Sequence, residues 1–177
     1  MLIVKRITRD DFGKINDVNK LYDSAFPRYE QRSYQGRVSI LGHDDYHLYY
    51  FTDSEIFVGF IGSWKINDYF YVEHLAISPT LRGQGYGQVV LKQFCTEVNN
   101  VILEIDPVID EVSQKRLSFY QHCGFKQNSY QHTHPSYYPE NEPHKLEVLT
   151  FPTEIDRESY HLFSEKLKTV VMSPSLL

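Results

Sequence analysis

Apolar positions along the chain follow the period of a strand in some segments and of a helix in others, and the two patterns alternate. Residues 2–7 predict a strand. Thr8 and Asp11 have the spacing of a capping box, which would open a helix. The predicted apolar face of that helix consists of Phe12, Ile15, Val18, Tyr22 and Phe26. Pro27 would end the helix, and the polar residues 28–47 predict a short second helix and a loop.

The middle of the chain predicts an antiparallel meander, then a helix and a buried strand. Three segments have the pattern of strands joined by polar turns, at residues 47–52, 56–65 and 69–78. A helix packed on the sheet is predicted from an apolar stripe of Tyr86, Val90, Phe94 and Val98. Residues 101–105 are almost wholly apolar, which is typical of a strand covered on both faces.

A further helix and two strands are predicted towards the C-terminal end. The helix covers residues 111–123 and ends at Gly124, because glycine readily adopts the left-handed conformation that follows many helices. Strands are predicted at residues 125–130 and 146–151. Residues 131–145 contain three prolines and are therefore predicted to form a loop.

The residues most indicative of chemistry form a glycine-rich turn between a predicted strand and a predicted helix. Arg82 is followed by three alternating glycines, Gly83, Gly85 and Gly87. Since glycines lack Cβ atoms, the backbone N–H groups and the N-terminus of the following helix can face a phosphate. The guanidinium of Arg82 adds a positive charge and paired donors suited to phosphate oxygens. The turn is predicted to bind an anion.

Two other phosphate-binding designs fit this turn less well. A P-loop requires Lys and then Ser or Thr after its last glycine, where Gln88 and Val89 stand here. A dinucleotide-binding turn is the closer alternative, because the next strand ends beside Glu104 and Asp106, where a ribose-binding acid would lie. However, Gln88 replaces its third glycine, and Arg82 precedes the turn.

Two motifs in the sequence resemble those of the GNAT superfamily of N-acetyltransferases. Arg82, Gly85 and Gly87 match the family's pyrophosphate-binding pattern, Arg/Gln-x-x-Gly-x-Gly/Ala. Residues 116–125 match its helix that ends in Phe-Tyr-x-x-x-Gly-Phe. Only residues 69–125 carry motifs of the family. The order of the predicted strands and helices resembles the family over a longer part of the chain.

The resemblance implies an α/β (α+β) fold, with a mixed, mostly antiparallel sheet of six to seven strands flanked by helices on both faces. Residues 1–152 would form this domain, and residues 153–177 would form a C-terminal helical extension. Thr153 and Asp156 have capping-box spacing and would open that helix. Its predicted apolar face consists of Tyr160, Phe163, Leu167 and Val170. The extension would pack on the same domain or on a second subunit of a homodimer.

The same resemblance implies transfer of an acetyl group from acetyl-CoA to a primary amine of a small molecule or peptide, by direct attack in a ternary complex. The backbone of Leu75, Ala76 and Ile77 would bind the pantetheine arm, assisted by the Ser113 side chain. The pyrophosphate would lie on Arg82, Gly83, Gln84, Gly85, Tyr86, Gly87 and Gln88. A non-catalytic acyl-CoA-binding or sensing module is the alternative function.

Glu73 and Tyr120 are predicted to transfer protons. Alkylamines are mostly protonated at neutral pH, so a general base is useful, and Glu73 lies where related enzymes often carry a catalytic acid or histidine. Strand alternation directs Glu73 to the same face as Tyr71, and His74 to the opposite face as a core histidine. Tyr120 matches the family's general-acid tyrosine, which protonates the CoA thiolate. The alternatives are an ion pair or substrate binding without proton transfer for Glu73, and plain packing for Tyr120.

Aromatic residues cluster in the two loops that flank the acceptor mouth of this fold. They are Tyr29, Tyr34, Tyr130, Tyr137 and Tyr138, and they form either an aromatic wall for the acceptor or ordinary packing. His132 and His134 suggest a metal site only weakly, because no Cys or carboxylate lies at ligand spacing. No metal is expected.

Composition and charge agree with a single enzyme domain. The 177 residues are 41% hydrophobic, enough for one core. A net charge of −5 without a long basic run argues against nucleic acid as a partner. The apolar runs are too short for a signal peptide or a membrane span. Cys95 and Cys123 lie in predicted helices and are interpreted as reduced core thiols, which predicts a cytoplasmic location.

Overall fold

A computed structural model describes residues 1–177, which form a mixed α/β fold. The strands are β1 (Leu2–Ile7), β2 (Tyr46–Asp53), β3 (Ile56–Ile66), β4 (Tyr69–Ile77), β5 (Val101–Ile105), β6 (Lys126–Gln127), β7 (His132–His134) and β8 (His144–Phe151). The helices are α1 (Phe12–Ala25), α2 (Tyr34–Ile40), α3 (Tyr86–Val98), α4 (Glu111–His122) and α5 (Arg157–Lys166). None of the helices is long and apolar enough to cross a bilayer.

The predicted fold class is confirmed, with one more strand than expected. The strand order is β1-β2-β3-β4-β5-β8-β6, with β7 paired to β8. All neighbouring strands are antiparallel except β4 and β5. The additional strand, β7, lies in residues 131–145, which were predicted to be a loop. The prolines of that segment lie outside β7, so its three residues remain free to pair with β8.

Helices cover both faces of the sheet, as predicted. On one face, Val90, Leu91 and Phe94 of α3 pack with residues such as Phe51 and Leu103. The other face is covered in two parts, one by α1 and the other by α2 and α5. Both Cys95 and Cys123 are buried free thiols within the first of these cores.

The C-terminal helix packs on this same chain. Phe163 is 1% exposed and lies in a core with Trp64 and Tyr71 of the sheet. Helix α5 continues into a wider π-helical turn, Leu167–Val171, whose Leu167 and Val171 are fully buried in that core. The extension thus completes the hydrophobic layer on one face of the sheet.

Both predicted capping boxes are wrong in detail, because each helix begins after the aspartate rather than after the threonine. Asp11 directly precedes α1, and its carboxylate accepts a hydrogen bond from the N–H of Thr8 at 2.9 Å. Asp156 caps α5 by accepting from the N–H of Ser159 at 2.9 Å. Phe12, predicted on the apolar face of α1, is the first helical residue and is 77% exposed.

The parallel strands β4 and β5 are paired along only part of their length. Their register contains two pairs, Phe70 with Val101 and Tyr71 with Ile102. Beyond these pairs the C-terminal halves of the two strands diverge. This divergence opens the sheet at the carboxyl ends of its two central strands.

Candidate active site

A cavity of about 520 Å³ lies at the diverging ends of β4 and β5. Its wall also includes residues of α4, of the segment after α1, and of β7 and β8. The polar groups that it brings together include Glu73, His74, Glu104, Tyr120, His134 and Tyr137. Glu73 and Tyr120, the two predicted catalytic residues, therefore line one cavity although they lie on different elements.

A β-bulge in β4 sets the direction of the side chains in this cavity. Gly62 of β3 pairs with His74 and Ser63 pairs with Val72, which leaves Glu73 as the extra residue. As a result, Glu73 and His74 both lie on the face covered by α1 and α5, where Glu73 contacts Trp64 and His74 contacts residues of α1. The prediction that His74 faces the opposite side is wrong, because strict alternation does not hold across a bulge.

Glu73 is fully buried, and donors surround its carboxylate. Oε1 accepts hydrogen bonds from Arg32 Nε at 2.7 Å and from the Tyr137 hydroxyl at 2.8 Å. Oε2 accepts from Trp64 Nε1 at 2.7 Å. Burial alone would raise the pKa of Glu73, but the charge of Arg32 and these hydrogen bonds outweigh it and lower the pKa to about 2. A carboxylate with such a low pKa is a weak proton acceptor. These contacts therefore argue against Glu73 as the general base, although its catalytic role remains a prediction.

Arg32 is a site residue that sequence reasoning missed. It is 2% exposed, and besides Glu73 it donates to the carbonyl oxygens of Leu176 and Val171, each at 2.7 Å. Its Nη1 and Nη2 partners are more than a hundred residues away along the chain, so no local pattern could reveal them. Arg32 joins the bulge of β4 to the C-terminal segment.

His74 has the satisfied environment predicted for a core histidine. Its Nε2–H donates to the carbonyl oxygen of Glu30 at 2.9 Å, and the Tyr22 hydroxyl lies 3.3 Å from the same nitrogen. Burial lowers the pKa of His74. The imidazole is therefore held neutral by its surroundings.

A second buried acid, Glu104, faces the cavity from β5. The Tyr71 hydroxyl donates to its Oε1, and His132 contacts its Oε2 through Nε2. His134 Nε2 lies 3.9 Å from Oε1. Burial alone would raise the pKa of Glu104, but the His134 charge and the His132 hydrogen bond lower it. Sequence reasoning considered Glu104 only as a ribose-binding acid, and the two histidines only as weak metal ligands.

Tyr120 lies in the cavity wall on α4, partly buried against other aromatic rings. Its ring is 5.2 Å from that of Phe119 and 5.9 Å from that of Phe125, both in edge-to-face arrangements. Burial raises the pKa of its hydroxyl, so the phenol stays protonated at neutral pH. A protonated phenol in the cavity is consistent with the predicted role as a general acid.

The glycine turn has the open geometry that an anion site requires. Gly83 and Gly85 have φ angles of 77° and 85°, in the left-handed region that favours glycine. A Cβ atom at either position would meet no protein atom within 4 Å, so the space in front of the turn is free for a ligand. At Gly87 a Cβ would make ordinary contact with Phe119 at 3.5 Å. Arg82 is exposed and donates to the carbonyl oxygen of Ile77 at 3.1 Å.

Other residues predicted to bind acetyl-CoA differ in how free their polar groups are. Leu75, Ala76 and Ile77 pair with β3 on one side only, since β4 and β5 have already diverged. The Gln84 side chain donates to the Thr80 carbonyl, and the Tyr86 hydroxyl donates to Asp53. Their backbones, together with that of Gln88 at the start of α3, remain the groups suited to a pyrophosphate.

Ser113 does not have the free hydroxyl that pantetheine binding would need. Its Oγ accepts hydrogen bonds from the N–H groups of Ile109 and Asp110 at 2.9 and 3.0 Å, and lies 2.7 Å from Asp110 Oδ1. Together with Asp110 it forms the capping box that opens α4. The structure thus gives Ser113 a helix-capping role in place of the predicted contact.

Only part of the predicted aromatic wall reaches the cavity. Tyr29 and Tyr137 line it, with the ring of Tyr29 stacked on His144 at 5.4 Å. Tyr34 is 65% exposed on α2, away from the lining. Tyr130 stacks on Tyr160 at 4.1 Å and donates to the Ile155 carbonyl, so it packs against the C-terminal helix. Tyr138 is likewise outside the lining, with its ring near Arg28.

Comparison with known proteins finds similarity to acetyltransferases. The sequence model of the acetyltransferase (GNAT) domain matches residues 44–127. A candidate acetyltransferase of Bacillus subtilis (strain 168), YjbC, is 28% identical over 96 residues, which cover 53% of this chain. The match spans only 50% of that curated relative.

Solved structures extend the likeness to nearly the whole chain. A candidate GNAT acetyltransferase from Bacteroides thetaiotaomicron is 25% identical, with a TM-score of 0.91 over 97% of this chain and 98% of that one. A Bacillus subtilis acetyltransferase in complex with CoA is 13% identical, with a TM-score of 0.61 over 87% of this chain and 100% of that one. The chain therefore has the fold of these acetyltransferases, and it is similar in sequence to the acetyltransferase (GNAT) domain over residues 44–127.

Proposed function

We propose that this protein transfers an acetyl group from acetyl-CoA to a primary amine of a small molecule or peptide, by direct attack in a ternary complex. The observation that carries the proposal is the cavity at the diverging ends of β4 and β5. It places a protonated tyrosine, Tyr120, in one space with buried carboxylates and histidines. These are the groups that amine deprotonation and thiolate protonation require.

Acetyl-CoA would be held by backbone groups on both sides of this cavity. The unpaired edge of Leu75, Ala76 and Ile77 would bind the pantetheine arm, and the open turn from Arg82 to Gln88 would bind the pyrophosphate. The thioester would then lie beside Tyr120, whose hydroxyl would protonate the departing sulfur. Acetyl-CoA supplies the acyl group in this reaction.

The charges at the cavity favour an acceptor that carries a positive charge. Glu30 and Asp106 lie in the lining, and burial together with the nearby Asp106 raises the pKa of Glu30. An ammonium group placed beside Glu30 would stabilise the charged form of its carboxylate against the effect of burial. Arg116 already pairs with Asp106 at 2.8 Å, which leaves Glu30 as the carboxylate more available to the acceptor.

Release of free CoA thiol tests the proposed activity. The protein is incubated with acetyl-CoA and a panel of primary amines, including diamines, amino acid amides and short peptides with free N-termini. Amine-dependent thiol release, with an acetylated product of the expected mass, is the supporting result. Binding of acetyl-CoA without thiol release for any amine would instead support the non-catalytic acyl-CoA-binding module.

We propose a cytoplasmic location and a homodimer as well. Sedimentation of the purified protein tests whether it is a homodimer.

A further inference from the structure

We infer that His134 is the general base of this site, and that Nε2 of its imidazole accepts a proton from the acceptor amine. The inference rests on the proposed function. His134 lies on β7, within the segment predicted as a loop, and its side chain is 7% exposed while forming part of the cavity wall. Its position opposite the diverging end of β4 brings a proton acceptor to the space where the amine would attack.

The hydrogen bond on the other ring nitrogen fixes which nitrogen of His134 is basic. Nδ1 lies 2.6 Å from the carbonyl oxygen of Pro135, and a carbonyl oxygen only accepts, so Nδ1 carries the hydrogen. Nε2 then bears the lone pair in the neutral ring. Nε2 has no hydrogen-bond partner within the protein, and its nearest acid is Glu104 at 3.9 Å. The basic nitrogen is therefore available to a substrate.

Glu104 acts on His134 as a positioning residue. The Tyr71 hydroxyl and His132 hold its carboxylate, and the other nitrogen of His132 lies 2.9 Å from the Tyr160 hydroxyl. This chain of contacts fixes a negative charge beside Nε2. When His134 takes up a proton, the resulting imidazolium faces a carboxylate that is already in place and needs no reorganisation.

The other candidates for the base in the cavity wall are Glu73, His74 and His144, and each is less available to an acceptor than His134. Both oxygens of Glu73 accept hydrogen bonds from protein donors, and its charge is neutralised by Arg32. His74 donates through Nε2 to Glu30, so its lone pair is on Nδ1, 3.9 Å from Glu73 Oε1, and its ring is enclosed between Tyr22 and Phe26, with centroids 4.7 and 4.8 Å away. His144 also lines the cavity, but its unpaired Nε2 is buried. Nε2 of His134 is unpaired and is not buried in this way.

The proton inventory of the reaction is complete with His134 and Tyr120. The acceptor ammonium loses two protons in becoming an amide N–H, and one passes to Nε2 of His134 and then to solvent. The nitrogen lone pair forms the C–N bond, and the C–S bond breaks with its electrons on sulfur. Tyr120 protonates the sulfur, and the second nitrogen proton returns to the Tyr120 oxygen. The products are the amide, CoA thiol and one released proton.

Two substitutions at His134 test this assignment by steady-state kinetics with an amine that the wild type accepts. His134→Gln removes the titrating ring, and His134→Asn also does so while retaining a donor for the Pro135 carbonyl. We expect both to lower kcat by roughly 10²-fold, with the KM for acetyl-CoA and the thermal midpoint little changed. His122→Gln is the matched control, because exposed His122 makes a similar Nδ1 contact to a backbone carbonyl outside the cavity.

The pH profile separates a catalytic base from a structural histidine. Charged or titratable groups that act on His134 or face it are Glu30, His74, Glu104, Tyr137 and its cross-strand partner His144. These groups are common to wild type and variants, so the comparison isolates His134. The wild-type kcat should decline as pH falls, as expected when a general base is lost, and this inflection should be absent in both variants.

Three outcomes would count against the assignment in different ways. Wild-type kcat and an unchanged pH profile in a folded His134→Asn protein would overturn it. The same holds if His74→Gln removes the inflection and the His134 variants keep it, because His74 would then be the base. Absence of thiol release by the wild type with every amine would instead refute the proposed function, on which this inference depends.

Discussion

Arg32 and Glu73 form a fully buried ion pair, which makes single substitutions there costly. Glu73→Gln would keep the shape of the side chain but leave the Arg32 guanidinium buried without its counter-charge. We expect a loss of about 3–5 kcal/mol in the free energy of unfolding, because removing one partner of a buried pair strands the other. Urea denaturation measures this loss.

The control for Glu73→Gln is the more exposed pair between Arg37 and Asp23, in which the Asp23 side chain is 58% exposed. Asp23→Asn should change stability far less, because solvent screens that pair. Equal effects of the two substitutions would show that burial of Glu73 does not govern its contribution to the free energy of unfolding.

Tyr120 offers a residue-scale test of leaving-group protonation. Tyr120→Phe keeps the ring that packs against Phe119 and Phe125 and removes the hydroxyl. We expect kcat to fall by roughly 10²-fold or more while acetyl-CoA affinity and stability change little. Steady-state kinetics between pH 6 and pH 9 measure kcat, under conditions where chemistry limits the rate. A wild-type kcat for Tyr120→Phe would leave Tyr120 as a packing residue.

At the scale of elements, the glycine turn before α3 is the part of the proposed acetyl-CoA site most open to a direct test. Gly85→Glu would place a side chain and a negative charge in the free space in front of the turn. Acetyl-CoA binding should be abolished, as measured by calorimetry. Gly13→Glu is the matched control, because Gly13 also has open space around its Cβ position but lies at an exposed position of α1. Unchanged affinity in folded Gly85→Glu protein would refute the site assignment.

The C-terminal helix is predicted to be part of the folding unit rather than a dispensable addition. Phe163→Ala on α5 should cost about 3–5 kcal/mol, since a fully buried phenylalanine leaves a cavity when truncated. Phe12→Ala provides the comparison, because Phe12 is 77% exposed and should change stability little. Thermal or urea unfolding of both variants decides whether α5 belongs to the core.

Most elements could be predicted from periodicity, because the apolar residues of amphipathic helices such as α3 and α5 recur on the face that is buried. The bulge at Glu73 could not be predicted, because one extra residue in a strand cannot be recognised from a period-two pattern. The short strand β7 was missed for a related reason, since its three residues are stabilised by pairing with β8 rather than by their own composition.

The candidate site was predictable only where a local motif marks it. The glycine turn and Tyr120 belong to such motifs. Arg32 and His134 acquire their roles from partners that the fold brings close, namely the C-terminal carbonyls and Glu104. Ser113 shows the opposite case. Its position in the family pattern predicts a contact to pantetheine, whereas its side chain caps α4 here.

At the scale of the whole molecule, buried carboxylates make the free energy of unfolding depend on pH in the acid range. The pKa of Glu73 is about 2 in the folded protein against an ordinary value of 4.5, and the pKa of Glu104 is lowered as well. A carboxyl group with a lowered folded-state pKa stabilises the protein fully above its unfolded-state pKa and loses that contribution as pH falls. We expect stability to decline from about pH 4.5 towards pH 2.

Urea denaturation at several pH values measures this decline. The slope should be smaller in Glu73→Gln, which lacks one of the two groups. A stability that is constant from pH 5 to pH 3 would contradict the lowered pKa values of both carboxyls.

The contacts of Arg32 also bear on the order in which the site can form during synthesis. Two of its hydrogen bonds reach carbonyl oxygens at Val171 and Leu176, which are translated long after Arg32 and Glu73 themselves. Until those residues leave the ribosome, the Arg32 guanidinium that binds Glu73 lacks two of its hydrogen-bond acceptors. Water would hydrate these donors instead. The central strands can pair early, but the polar centre of the cavity is complete only once Val171 and Leu176 have been made.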